Sequence, residues 1–350
     1  MKINYEKLHR FCEKIFQKYG FNREDSFVIA DVLVQADLFG VESHGVSRIL
    51  KYTDLLERNV IQLDARLEIV KETELSAVLD AHSAMGQIAA AKAMQTAIEK
   101  AKKHGIGMVQ LRNSNHYGIA GYYALLAAKE HMLGVSMTNS PAIMVPTFCA
   151  EALLGSNPIA FAMPAGKYPF LYDGATTVIT RGKVELYQKT GKQLMDGWTV
   201  DETGKNEVRP DIILKNIREK TGGGILPVGG SGELQAGYKG YGYAMICEIM
   251  TSIFGGGVFS MHKKDQGDTS QCFYAMDYGM FGDKREIENR METLITEIHH
   301  AKKEKGQQRI YTAGEKEFER EKEYKKSGIP VSEKTYQELE ALGKRLGITM

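Results

Sequence analysis

The chain of 350 residues has little cysteine, and its four cysteines, Cys12, Cys149, Cys247 and Cys272, stand far apart with no CxxC pair. That spacing argues against a zinc ribbon or a disulfide framework and makes a reducing compartment the expectation. An excess of one charge is also missing. Lys and Arg total 45 against 44 Asp and Glu, a net charge of +1, so there is no electrostatic case for nucleic acid or an anionic membrane as a partner. No run of about 20 apolar residues occurs, and Met1-Lys2-Ile3-Asn4-Tyr5 opens no apolar signal region. The expected location is cytoplasmic, with no membrane contact. The patterns GxGxxG, GxxxxGK[ST], GxSxG and HExxH do not occur either. A Rossmann fingerprint, a phosphate loop, a hydrolase elbow and a zinc-protease helix are thereby unsupported, and no metal is expected.

What remains is an ordinary globular composition, 43% hydrophobic and 25% charged, long enough for more than one domain. Apolar residues at helical spacing predict helices over 5–19, stopped by Gly20, and over 22–39, capped by Asn22 and ended by Gly40. Ser43 is read as the cap of a third helix, 44–58, on which His44, Arg48 and Tyr52 rise along one face at intervals of four. Residues 67–80 alternate as strands do. An alanine-rich helix over 85–104 ends at Gly105, and strand 106–111 leads to Asn113-Ser114-Asn115-His116, where a further helix to about 131 is expected to begin. Strands at 133–139, 159–163 and 170–173 follow, then a short helix from Gly182-Lys183, turns over 191–204, and a glycine-rich stretch into Tyr238-Lys239-Gly240-Tyr241-Gly242. That segment opens an apolar helix ending at Gly255-Gly256-Gly257. A strand at 272–276, an amphipathic helix at 284–305, a solvated charged stretch at 315–326 and a helix at 333–346 complete the chain.

Two segments carry candidate chemistry: Glu42-Ser43-His44-Gly45-Val46-Ser47-Arg48 and Asn113-Ser114-Asn115-His116-Tyr117-Gly118. An imidazole near its working pKa passes a proton, and a guanidinium grips a carboxylate through two parallel hydrogen bonds. Both are what an enzyme of hydroxy or oxo acids needs. A half-buried helix face and a structural helix cap account for the same residues without chemistry. Clustered glycine amides followed by Lys239 suit a phosphate, and equally a flexible loop.

Taken in order, these segments resemble the NAD(P)-dependent malate, L-lactate, sulfolactate and ureidoglycolate dehydrogenases, a family outside the Rossmann type. The resemblance is carried by Ser43-His44-Gly45 with Arg48, Asn113 to Gly118 with Ala120-Gly121, and Thr138-Asn139-Ser140. It continues through Gly155-Ser156-Asn157-Pro158, Asp173 to Thr177, Gly182-Lys183, Gly197-Trp198 with Asp201, Tyr238 to Gly242, Gly314-Glu315 and Ser327-Gly328-Ile329-Pro330. Departures lie at Asp173-Gly174-Ala175-Thr176-Thr177, where the family has Asp-Met-Ala-Thr-Ser, at Ser270-Gln271-Cys272-Phe273 for Gly-His-Phe-Phe, and at Ala313-Gly314-Glu315 for Pro-Gly-Glu. The glycine loop over 222–235 departs as well.

The resemblance implies an α/β fold of the α+β kind, non-Rossmann, with N-terminal helices and a large, mostly antiparallel sheet. It implies a helical domain of 1–70 completed by 309–350, a cofactor-binding and sheet region of 71–308, and a homodimer with the substrate pocket near the subunit boundary. It assigns His116 as acid/base with His44, assisted by Ser43, as runner-up. Arg48 is assigned to the substrate carboxylate and Tyr52 to the same pocket. NAD or NADP is assigned to Ser140, Asp173, Gly174, Ala175, Thr176, Lys183, Lys239, Gly240, Gly314 and Glu315, with Lys239 toward the pyrophosphate. Asp173 can instead orient a histidine. The choice between NAD and NADP stays open, because no Rossmann-type acidic residue is there to read.

Two other classes compete. Ser43, His44 and Asp173 read as a hydrolase triad, against which adjacent Ser and His on a helix start are poorly aimed at each other. A non-catalytic binding role keeps the fold and loses turnover.

Overall fold

The computed structural model describes residues 1–264 and 266–350. A short strand, β1 (Lys2–Ile3), precedes helices α1 (Tyr5–Lys18) and α2 (Arg23–Leu38). The side chains of Asn4 and Asn22 accept hydrogen bonds from the Lys7 and Asp25 amides, which satisfies donors that a helix start leaves unpaired. α1 buries Leu8, Phe11, Cys12, Ile15 and Phe16, one stripe at helical spacing.

The single helix expected over 44–58 does not form. Glu42–His44 and Val46–Arg48 are separate 3-10 turns, and α3 proper is Ile49–Glu57. The break is Gly45. A Cβ there would lie 1.9 Å from Asp37 Oδ1, and Asp37 Oδ2 accepts the Val46 amide at 2.8 Å. Ser43 therefore caps no helix.

The alternating stretch is a hairpin of β2 (Glu68–Glu72) and β3 (Ser76–Asp80). Then come α4 (Gly86–His104), β4 (Ile106–Ser114), α5 (Ala120–Lys129), β5 (Leu133–Thr138), β6 (Ile159–Met163) and β7 (Phe170–Gly174). β4 runs three residues past its expected end, and α5 starts four residues beyond His116, which leaves His116 on the connection rather than on a helix start. After α6 (Arg181–Lys189) come β8 (Thr199–Val200), α7 (Pro210–Glu219) and β9 (Gly224–Ile225), which the sequence does not announce. α8 (Gly237–Glu248) continues through a wide π turn, Ile249–Ile253. The chain closes with β10 (Thr269–Met276), α9 (Lys284–His300), α10 (Glu315–Ser327), β11 (Ile329–Pro330) and α11 (Glu333–Leu346).

Seven strands form the main sheet in the order β2-β3-β4-β10-β5-β6-β7. Only β3 and β4 are parallel, bridged by α4 as a parallel pair requires. The other neighbours are antiparallel. β10 arrives from far along the chain and wedges between β4 and β5, pairing Gln271 with both Leu111 and Thr138. α4 and α5 pack on the sheet in one core that includes Ala93, Leu111, Tyr123 and Phe273. A second core joins α1, α2, α3 and α11 with Ile3 and Ile329 of the β1–β11 pair. A third, smaller core gathers Ile143, Val184, Ile213 and Ile225 around α6 and α7. No described helix is long and apolar enough to cross a membrane.

Candidate active site

Three irregular segments meet at one cleft: the bend at Gly45, the connection after β4, and the stretch before β10. The connection after β4 is firmly held. Asn115 Nδ2 donates to the carbonyls of Ser83 and Ala84, each at 2.9 Å, and Gln271 Nε2 donates to the Asn115 carbonyl at 3.0 Å. Gly86, which opens α4, lies directly beneath. A Cβ on it would sit 2.4 Å from the carbonyl oxygens of both Asn115 and His116.

The His116 ring emerges from this base. Its Nδ1 is 2.7 Å from the hydroxyl of Tyr52, a side chain only 1% exposed, and the Gly118 amide lies 3.4 Å from the same atom. The ring stacks on His44, with centroids 5.4 Å apart. Burial, then the positive neighbours His44, Arg48, Lys51 and Lys263, hold His116 well below the ordinary histidine value. Burial, Arg48 and Lys51 push His44 down to about 4. Both rings are therefore neutral at pH 7.

His44 Nδ1 is 2.9 Å from Ser43 Oγ. Adjacent residues make this contact because the backbone here is a 3-10 turn and not the helix the sequence suggested. The triad reading goes no further, since Asp173 Oδ2 accepts the Gly121 amide at 2.7 Å and neither histidine is among its partners. Arg48 Nε donates to the Ser43 carbonyl at 2.5 Å. A guanidinium has five N–H groups, so four remain for other acceptors.

The cleft has two chambers that share His44, Gly118, Ser156 and Pro158. One, of about 330 Å³, is lined by His44, Arg48, Lys51, His116, Ser140, Arg181 and Lys263. Among the described residues its one carboxylate, Glu185, pairs with Arg181 at 3.0 Å, and the other charged groups lining it are cations. The other, of about 390 Å³, is lined by Ser43, His44, Asp173, Ala175, Gly314 and Glu317 beside apolar Phe39, Val41 and Leu171. The surrounding walls push the Asp173 carboxyl upward from the usual carboxylate range, while its side chain stays open to the chamber.

The structure thus gathers His116, His44, Ser43, Arg48, Ser140, Asp173, Ala175 and Gly314 around one cleft. Tyr52 is in neither wall. It stands behind His116 and meets its far nitrogen, because α3 turns that face into the second core. Gly174 and Thr176 lie behind the second chamber: Gly174 pairs with Ile159, and Thr176 Oγ1 donates to the Ser156 carbonyl at 2.9 Å.

Four more residues of the expected cofactor set also line neither chamber. Lys183 and Lys239 lie over the rings of Tyr187 and Tyr238. Gly240 packs against the Val228 backbone. Glu315 is buried, ion-paired to Arg309 at 3.1 Å and in contact with the His299 ring.

The sequence reading missed Lys51, Arg181, Lys263 and Asp37. Asp37 had a signal, an acid at the end of an apolar helix. It is buried, and burial raises its carboxyl to about 8. Lys263 had none, since only the tertiary fold carries its loop to the cleft. Among the described residues no group of three or more His, Cys, Asp or Glu is arranged to hold a metal.

Residues 3–340 match the family model described as malate/L-lactate dehydrogenase. The chain is 41% identical over 353 aligned positions to a malate dehydrogenase of Pyrococcus abyssi, covering 99% of this chain and 96% of that one. It is 36% identical to an L-sulfolactate dehydrogenase of Methanocaldococcus jannaschii, covering 100% and 98%. The crystal structure of malate dehydrogenase from Entamoeba histolytica superposes with a TM-score of 0.96 at 33% identity, covering 100% and 99%.

Proposed function

This chain belongs to the malate/L-lactate dehydrogenase family, and from that premise we propose that it interconverts malate and oxaloacetate by hydride exchange with NAD or NADP. It is an oxidoreductase of the CH–OH group of 2-hydroxy acids. The observation that carries the malate reading is the cationic chamber in which Arg48 and a neutral His116 share one wall system.

The second chamber fits a dinucleotide in the chemistry of its donors. Its apolar residues suit a flat ring, and the open Asp173 carboxyl suits ribose hydroxyls. Ser140 and Ser156, whose hydroxyls are 3.1 Å apart, lie where the chambers meet. We assign Ser140, Asp173, Ala175 and Gly314 to hold the cofactor, which when bound supplies the hydride acceptor or donor. We keep Gly174 and Thr176 as support for that wall.

The roles of the chain's own residues follow from their contacts. Arg48 takes the substrate C1 carboxylate and fixes the reacting carbon. His116 exchanges a proton with the substrate oxygen, its Nδ1 held at 2.7 Å by the Tyr52 hydroxyl. A phenol both donates and accepts, so Tyr52 holds the ring in its neutral and its charged form. Positive neighbours depress His116. A bound carboxylate offsets their field, so the ring gains proton affinity when substrate arrives. His44, with Ser43, stacks against His116 and limits its rotation.

The apolar face of α9, with Leu294 51% and Ile298 37% exposed and no residue of the helix buried, supports a homodimer. We retain residues 1–70 with 309–350 as one structural unit and a cytoplasmic setting as part of this reading.

The test is oxidation of NADH, and separately NADPH, in the presence of oxaloacetate, pyruvate and other 2-oxo acids. Turnover with oxaloacetate is expected and identifies the cofactor. Cofactor binding without turnover on any 2-oxo acid overturns the reading.

A further inference from the structure

We propose that Lys263 is the receptor for the far anionic group of a dianionic 2-oxo acid, a carboxylate or sulfonate on C3, while Arg48 takes the C1 carboxylate. The proposal rests on the 2-hydroxy acid reading above and adds the residue that sets substrate class.

The cations of the first chamber come from two walls. Arg48 stands in the 3-10 turn just before α3 and Lys51 in its first turn, and Lys263 is on the loop before β10. Arg181 is already paired with Glu185. Lys263 differs from the others in depth, being 2% exposed. Its ammonium has three N–H donors. Two are engaged, by the Gly267 carbonyl at 2.8 Å and Thr269 Oγ1 at 3.2 Å. Among the described residues no carboxylate oxygen lies within ion-pair distance of its Nζ. Burial lowers the proton affinity of this ammonium against the pull of Asp268 and Glu248, and an anionic ligand in direct contact with it favours its charged form.

The position is also built. The buried Glu248 carboxylate accepts both the amide and the hydroxyl of Ser260, at 2.6 and 3.0 Å, and the Asn157 side-chain amide at 3.0 Å. Asn157 Oδ1 accepts the Ser140 amide at 3.1 Å. One acid therefore ties the loop that carries Lys263 to the wall that carries Ser140. Charge on Lys263 already lowers the proton affinity of His116, so the two groups share one field. A methyl group at C3, as in pyruvate, would leave the ammonium facing hydrocarbon. A carboxylate or sulfonate gives it a charge-assisted hydrogen bond.

The test is steady-state reduction of oxaloacetate, 3-sulfopyruvate and pyruvate by the wild type, Lys263→Met and Lys263→Arg, with reduced-cofactor binding measured on each. The wild type should prefer a dianion over pyruvate by roughly 100-fold in kcat/KM. Lys263→Met should cost the dianions at least about tenfold more in kcat/KM than pyruvate, chiefly through KM, and Lys263→Arg should recover roughly a tenth or more of the dianion preference. A better wild-type rate on sulfopyruvate, lost in the Met variant, supports the receptor with sulfonate as its occupant. An unchanged dianion-to-pyruvate ratio in Lys263→Met, or equal loss on all three acids in both variants, overturns the assignment of Lys263 alone. A wild type inactive on all three overturns the 2-oxo acid reading and the receptor with it.

Discussion

Replacing Tyr52 by phenylalanine removes one hydroxyl and little else. The ring is 1% exposed and packs in a core with Ile49, Leu55 and Met85, and phenylalanine keeps that packing. What is lost is the 2.7 Å bond to His116 Nδ1. The Gly118 amide also reaches Nδ1, at 3.4 Å, but it only donates and cannot hold the ring once Nδ1 is protonated. Leaving one buried partner unpaired costs about 1–3 kcal/mol. Expressed at the transition state, that is about a 5- to 150-fold loss in kcat. KM for the acid should hold, because Arg48 is untouched, and the melting temperature should change little. The assay is steady-state turnover in both directions with a thermal melt on the same preparation. A kcat within twofold of wild type would refute the role of Tyr52 in holding the His116 ring.

Arg48→Ala should raise KM for the acid by about 10- to 150-fold, the worth of a charge-assisted hydrogen bond, with cofactor affinity unchanged. An unaltered KM removes Arg48 from the substrate. Gly86→Ala should lower kcat by at least about tenfold, because its Cβ would press on the carbonyls of Asn115 and His116 and small displacements of a catalytic group are expensive. Wild-type activity there would mean that α4 can retreat. The pH profile of malate oxidation has a defined shape. The competent form of His116 is neutral and its folded value lies well below 6.5, so kcat/KM should not fall as pH drops through 6.5, and a descent centred at 6.5 or higher contradicts the assignment. On the alkaline side burial holds Lys263 down to about 7, against Asp268 and Glu248, which raise it. Arg48, Lys51 and Arg181 share its chamber. Loss of its proton should reduce kcat/KM for malate above about pH 7 and leave a monoanionic acid level.

Local chemistry wrote much of this molecule plainly. Asn4 and Asn22 cap the helices their positions promised, and Gly105 ends α4 in the left-handed region, at φ +86°. The strands at 133–138, 159–163 and 170–174 lie within a residue of their expected limits. Series of short motifs in order were enough to point to the family. Where expectation and structure part, a residue distant in sequence decides. The helix over 44–58 breaks because Asp37 packs on Gly45. α5 starts late because Gln271 and the Ser83–Ala84 carbonyls hold Asn115 in the connection. The small β8–β9 pair exists through the third core rather than through local propensity, which is weak for two-residue strands.

The site divides along the same line. The sequence by itself determined which groups are available: two imidazoles, a guanidinium and a carboxyl, each at a recognisable local motif, because proton transfer and carboxylate binding depend on side-chain type. Only the tertiary structure decided what each touches. It set Tyr52 behind His116 instead of in the wall, left Lys183 and Lys239 exposed outside both chambers, buried Gly240 and Glu315 elsewhere, and carried Lys263 to the cleft with a buried ammonium. Those outcomes depend on desolvation and on contacts between residues far apart in the chain, neither of which a local pattern of residues contains.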